Sequence, residues 1–183
     1  MDIVAQKKVL RAKMHHERAT IDPLYKSDYD TWVCDELATL ITERSCQVVH
    51  AYLPMGTEID IKPLIKQLLA NGITVVVPKT LKKRKLEHLV LESLDNLEDG
   101  VYGTSHPKEG VVFKEKMDLI IVPGLAFDFE KYRLGYGGGY YDTFLAEHPN
   151  AYTVGVCYPF QNIKTVPKET HDACLDTVLI KSK

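Results

Sequence analysis

Residues 47 to 78 read QVVHAYLPMGTEIDIKPLIKQLLANGITVVVP, and their pattern decides the fold. QVVHAYL is a short apolar run ended by Pro54 and Gly56, the punctuation of a strand. Ile61 to Ala70 repeats apolar residues at helical spacing and closes on Asn71-Gly72, a pair that ends helices. Ile73 to Val77 (ITVVV) offers no polar face and stops at Pro78, as a strand covered on both sides does. Strand, helix, strand is the unit from which parallel sheets are built.

Working outward, Leu86 to Glu92, Met117 to Val122 (MDLIIV), Ala151 to Cys157 and Asp176 to Ile180 are further strands. Upstream, residues 4 to 19 and Tyr29 to Glu43 carry helical periodicity, the second with Trp32, Val33, Leu37, Leu40 and Ile41 on a core-facing stripe. Asp95 to Gly110 is turn-rich and reads as a connection with little regular structure, and Leu125 to Tyr132 as a short connector. Alternating strands and helices predict an α/β domain, with a mainly parallel sheet covered on both faces. At 183 residues, with no linker or repeat, residues 1–183 form one domain.

Lys and Arg number 23 against 25 Asp and Glu, so the chain as a whole attracts neither nucleic acid nor an acidic surface, and any anion site must be local. Cys34, Cys46, Cys157 and Cys174 are scattered without a metal-binding spacing, which argues for small core residues in a reducing compartment, the cytoplasm. No apolar run reaches membrane-spanning length, and the charged N-terminus is unlike a signal peptide. A monomer is expected.

The densest chemistry lies in Arg133-Leu134-Gly135-Tyr136-Gly137-Gly138-Gly139-Tyr140-Tyr141-Asp142. Glycines clustered this closely cost conformational entropy, and they suit positive φ and close approach of bare N–H groups to phosphate oxygens. The helix expected from YYDTFLAEH would add its positive end. Neither GxxxxGK[ST] nor GxGxxG spacing is present, so the usual nucleotide loops are excluded. Polyphosphate chemistry calls for Mg²⁺, which takes one or two carboxylates plus water. Asp142 is placed for it, Asp172 is a second candidate, and Asp128, Glu130 and Asp176 rival it on composition alone. Lys7, Arg11 and Arg18 share one side of the first helix, either to meet an anion or as a solvated basic face. Glu58 follows a glycine at the carboxyl edge of the sheet, where α/β proteins bind ligands; as a lone carboxylate it could equally balance a helix N-terminus.

RLGYGGGYYD after VPGLAFD, Lys7-x-x-x-Arg11 with Arg18, YLPMGTEID and VPKETHDACLD occur in an order that resembles the 5-formyltetrahydrofolate cyclo-ligase family, also called methenyltetrahydrofolate synthetases. The resemblance spans nearly the whole chain. It implies a three-layer α/β/α, Rossmann-like fold and the ATP- and Mg²⁺-dependent closure of 5-formyltetrahydrofolate to 5,10-methenyltetrahydrofolate. It also implies that Lys7, Arg11 and Arg133, Leu134, Gly135, Tyr136, Gly137, Gly138, Gly139, Tyr140 and Tyr141 meet ATP, with Arg133 and Tyr140 closest to the chemistry. Leu53 and Glu58 would contact the folate, Tyr136 to Tyr140 would face both ligands, and Asp142 and Asp172 would hold Mg²⁺. Arg18 recurs in the pattern without an implied role. The chain departs from it at Thr143, where many members carry Arg or Lys, and at Glu130-Lys131-Tyr132, where a glycine-containing turn is common. A sugar-phosphate isomerase and a folate-storing binding module are the competing readings, but neither accounts for the separated carboxylates and the basic helix together.

Overall fold

A computed structural model describes residues 2–170 and 172–181. Helix α1 (Ile3–Ala19) starts where the Asp2 carboxylate accepts the Ala5 N–H, and α2 (Pro23–Glu43) where Asp22 caps Leu24 and Tyr25 ahead of Pro23. The cap sets the start of α2, and so the helix begins well before the apolar stripe that opens at Tyr29. Strand β1 (Val48–His50), α3 (Lys62–Ala70) and β2 (Thr74–Thr80) form the β-α-β unit. There follow β3 (Leu86–Leu91), β4 (Leu97–Asp99), β5 (Ser105–Pro107), β6 (Leu119–Val122), β7 (Ala126–Asp128) and β8 (Arg133–Leu134). Helix α4 (Tyr140–Glu147), β9 (Tyr152–Val156), β10 (Asn162–Ile163) and β11 (Thr177–Leu179) complete the chain.

The central sheet has the order β11-β9-β6-β1-β2-β3, parallel throughout except for the β2–β3 hairpin. Successive residues of its strands serve opposite faces. Val49, Val75, Val77, Leu119 and Ile121 join the core under α2 and α3, whereas Val76, Ile120 and Val122 join the core under α4 with Phe144 and Leu145. This division explains why the strand sequences carry apolar residues on both faces, as in VVV of β2 and LIIV of β6. The result is the three-layer α/β/α arrangement, with Trp32 half-buried at the edge of the first core.

Two expectations change. The stretch 125–132 is not a plain connector: Ala126–Asp128 pairs with β8 and β10 in a second, three-stranded sheet. Helix α1 packs there, placing Met14 against Leu125, Ala126, Leu134 and Val166 in a third core. Residues 95–110 likewise contain an antiparallel pair, β4 with β5, around a short 3₁₀ turn at Val101–Gly103. Strands of two or three residues are too short to show a period. Among the described residues no helix is long and apolar enough to cross a membrane.

Candidate active site

The chain leaves β1, β6 and β9 at the same edge of the sheet, and a cleft opens there between Tyr52, Glu58, Gly124, Tyr158, Gln161 and Arg18. Gln161 fixes one wall by donating to the Gly124 and Leu125 carbonyls at 3.3 and 2.8 Å. Tyr158 fixes another, its hydroxyl donating to Asp30 at 2.7 Å. This is the edge where open α/β sheets take ligands.

The glycine turn runs from β8 into α4. Gly137 (φ 102°) and Gly139 (φ 69°) occupy the left-handed region, so at these two positions the backbone itself requires glycine. Gly138 does not adopt positive φ; a Cβ there would lie 2.6 Å from the Tyr140 ring, and contact is what excludes a side chain. Gly139 precedes the first residue of α4, whose opening N–H groups and positive dipole end face the turn.

The cations of α1 do not form a solvated face. Arg11 donates from Nε to the Gly135 carbonyl at 2.9 Å, and its guanidinium lies beside Gly137. Lys7 bridges Glu169 and Asp172 at 2.9 and 2.8 Å. Burial alone would lower its pKa, but the hydrogen bonds from Asp172 and Glu169 outweigh burial and hold it above the ordinary lysine value. Arg18, 5% exposed, donates to the Thr57 hydroxyl at 3.1 Å and the Tyr136 hydroxyl at 2.8 Å.

Tyr136 in turn donates to Glu58 Oε1, while Oε2 of the same carboxylate accepts the Met55 N–H at 2.8 Å. Glu58 is 6% exposed and sits in a loop, not at the start of a helix. Burial pushes its pKa up, opposed by the hydrogen bonds from Tyr136 and Met55 and by the Arg18 charge. The Tyr136 hydroxyl is held above its usual range, mainly by burial and the Glu58 charge. The chain Thr57–Arg18–Tyr136–Glu58 thus joins α1, the loop after β1 and the glycine turn. Leu53 is buried in the core under α2 and α3, so its side chain serves packing beside the cleft.

Among the acidic candidates, Asp128 accepts the N–H groups of Glu130, Tyr132 and Val166, and Asp176 accepts Thr153 through both its N–H and hydroxyl. Both are structural. Glu130 pairs with Lys168 on the surface. Asp142 and Asp172 remain and lie close together in space, since the Ala173 N–H points at Asp142 Oδ1 from 3.4 Å. Each meets a cation: Asp142 meets Arg133 at 3.1 Å and Asp172 meets Lys7. Two carboxylates beside a phosphate-type turn fit Mg²⁺, which needs few protein ligands and takes its other oxygens from water and phosphate.

Arg133, expected among the phosphate-facing cations, has a side chain only 2% exposed, with Nε and Nη1 unpartnered among the described residues. Tyr140, expected near the chemistry, uses its hydroxyl to donate to the Leu81 carbonyl at 3.0 Å and so ties the β2–β3 hairpin to the glycine turn. Tyr141 is half-buried, and its hydroxyl has no hydrogen-bond partner among the described residues. Glu130-Lys131-Tyr132 keeps the tight turn without glycine because Lys131 itself takes left-handed backbone (φ 67°). Thr143 donates back to the Gly139 carbonyl at 3.2 Å and brings no charge. His171 lies outside the described residues.

A family model described as "5-formyltetrahydrofolate cyclo-ligase family" matches residues 3–181. A probable 5-formyltetrahydrofolate cyclo-ligase of Schizosaccharomyces pombe is 28% identical over 169 residues, 82% of this chain and 83% of that one. The 5-formyltetrahydrofolate cyclo-ligase of Haemophilus influenzae is 28% identical over 178 residues, 93% and 95% of the two chains. The solved structure of Aquifex aeolicus 5,10-methenyltetrahydrofolate synthetase superposes with a TM-score of 0.83 at 30% identity, covering 95% of this chain and 89% of that one. The chain belongs to the 5-formyltetrahydrofolate cyclo-ligase family and is, with that family, a ligase of folate one-carbon chemistry.

Proposed function

We propose that this chain uses MgATP to close 5-formyltetrahydrofolate to 5,10-methenyltetrahydrofolate, releasing ADP and phosphate, in the cytoplasm. The observation that carries the reading is the hydrogen bond from Tyr136 to Glu58, which makes one residue of the glycine turn a partner of the buried carboxylate in the cleft. A phosphate-binding backbone and a pterin-binding acid thereby share one wall.

The formyl oxygen of an amide is a poor leaving group. Phosphorylating it lets the neighbouring folate nitrogen attack the formyl carbon, after which phosphate departs and the ring is closed. The protein's part is alignment and charge stabilisation. Backbone N–H groups of the glycine turn and the α4 N-terminus, with Lys7 and Arg11, hold the triphosphate. Asp142 and Asp172 would hold Mg²⁺, which when bound would supply positive charge against the phosphate oxygens. Arg133 positions Asp142 from beneath rather than touching substrate, and Tyr140 holds the β2–β3 hairpin in place. Glu58 accepts pterin N–H donors.

The test is spectrophotometric, because the methenyl product absorbs in the near ultraviolet. Product formed from 5-formyltetrahydrofolate only when ATP and Mg²⁺ are both present supports the reading. Folate binding without turnover would instead leave a storage module, and turnover indifferent to ATP would end the ligase assignment.

A further inference from the structure

The β2–β3 hairpin carries Lys79, Lys82, Lys83, Arg84 and Lys85 within one short stretch of an otherwise charge-balanced chain. Among the described residues none of the five forms an ion pair with a carboxylate. Crowded like charges repel, so the arrangement is unfavourable until an anion arrives. The backbone at the tip adds to the cost. Lys83 (φ 60°) and Arg84 (φ 59°) both adopt left-handed geometry between Leu81 and Lys85, whose N–H and carbonyl close the turn at 2.9 Å. Left-handed positions at hairpin tips favour Asn and Gly, and residues with longer side chains adopt them at a cost. Strain of this sort persists where side-chain placement matters.

The placement is directed at the glycine turn. A Cβ built on Gly139 would lie 3.5 Å from Arg84 Cδ, 3.6 Å from Nε and 3.7 Å from Nη1. A Cβ on Gly137 would lie 3.2 Å from Arg11 Cζ, so two guanidinium groups flank the turn, one from α1 and one from the hairpin. Arg11 is committed to the Gly135 carbonyl. Arg84 is solvent-exposed, has no hydrogen-bonded partner among the described residues, and is kept in position by the Tyr140-to-Leu81 hydrogen bond behind it.

We propose that Arg84 is a phosphate-binding residue of the ATP site, an exposed fork that clamps the triphosphate against the glycine turn. The proposal rests on reading that turn as the phosphate site. A guanidinium suits the role because its N–H donors match two phosphate oxygens at once, which a lysine cannot reproduce. The neighbouring lysines raise the local positive potential and draw the anion in.

Equilibrium binding of ATP and of AMP, at low and high salt, tests it on wild type, Arg84→Gln, Arg84→Lys and, as a control, Lys7→Ala with Arg11→Ala. Arg84→Gln should weaken ATP by about tenfold, equivalent to about 1.4 kcal/mol, and flatten its salt dependence. AMP affinity and the KM for 5-formyltetrahydrofolate should not change. Arg84→Lys should recover only part of the loss. Because the side chain is exposed, thermal unfolding without ligand should match wild type. ATP affinity and salt slope unchanged in Arg84→Gln, while the control loses ATP, would overturn the role of Arg84 and leave the phosphate site standing. A loss confined to the folate would overturn it in favour of recognition of the folate's glutamate carboxylates. Wild-type protein that binds no ATP would sink the phosphate site itself, and Arg84 with it.

Discussion

Glu58→Gln is the sharpest probe of how the site is divided, because the structure fixes what the carboxylate holds. One oxygen accepts the Met55 N–H at 2.8 Å and the other accepts the Tyr136 hydroxyl, which itself receives Arg18 at 2.8 Å. Turned with its oxygen toward the Met55 N–H, a glutamine amide presents NH₂ to Tyr136, whose hydroxyl can accept it but loses the acceptor for its own proton; turned the other way, NH₂ faces the Met55 N–H. With the group 6% exposed, water cannot readily repair the mismatch. The cost of leaving one buried donor unpaired is about 1–3 kcal/mol. For a domain of this size that is a fall in Tm of about 2 to 12 °C, at about 2–4 °C per kcal/mol. The same substitution removes the charged acceptor offered to the pterin, and a loss of about 2 kcal/mol weakens folate binding by about thirtyfold. ATP affinity should stay within about twofold, since the phosphate ligands proposed above are backbone N–H groups and cations, and Glu58 is not among them. Calorimetry with each ligand separately, alongside thermal unfolding of the free protein, reads all three quantities. Loss of ATP affinity with folate affinity intact would refute the division of the cleft, and an unchanged Tm would refute the hydrogen-bond accounting.

Asp142→Asn should lower turnover on the order of 10²-fold, because it removes the hard anionic ligand proposed for Mg²⁺ and strips the buried Arg133 of its one carboxylate partner among the described residues; turnover within twofold of wild type at limiting Mg²⁺ would remove Asp142 from the metal set. A pH effect is expected from His50 and His88, whose rings meet at 3.3 Å (Nε2 to Nδ1) beneath Phe144 on the α4 face of the sheet. Burial, reinforced by His148, lowers His88 from 6.5 to about 4, so its contribution to stability is present above pH 6.5 and is lost as the pH falls toward 4. The Tm difference between wild type and His88→Phe should therefore narrow or reverse over that window, and parallel Tm curves would exclude the histidine as its source.

What could be read from the sequence follows from the range of the interactions. Strands buried on both faces announce themselves locally, and the β-α-β unit from Val48 to Thr80 needed nothing beyond its own apolar runs and its Pro and Gly stops. Strands β7, β8 and β10 gave no such signal, since a strand of two or three residues has no period and forms only because partners from elsewhere reach it. The glycine turn was legible as a site from composition, yet composition could not separate Gly137 and Gly139, which need positive φ, from Gly138, which needs the room. Glu58 read as a lone carboxylate because its partner is 78 positions away, and Arg18 lacked a role because Tyr136 lies 118 positions from it. Of the rival acids, Asp128 and Asp176 proved to be occupied by backbone N–H groups and Glu130 by Lys168, contacts that composition does not announce.

Helix α1 shows why binding and stability cannot be assigned separately at this site. Its buried residues are only Met14 and Arg18, while Val4 and Val9 are 68% and 58% exposed. A 17-residue helix with so little apolar contact would be marginal by itself. Half-buried Leu10 packs beside Met14, and the other attachments named above are polar: Lys7 to Glu169 and Asp172, Arg11 to the Gly135 carbonyl, and Arg18 to Thr57 and Tyr136. The groups assigned to the triphosphate are therefore also the groups that hold the helix against the glycine turn. On the proposed reading an anion bound there would exchange some of these contacts for its own, coupling its binding to the docking of α1. Weak apolar docking with strong polar docking makes the helix responsive to the charge state of the site, whereas the main sheet, with its cores on both faces, is not.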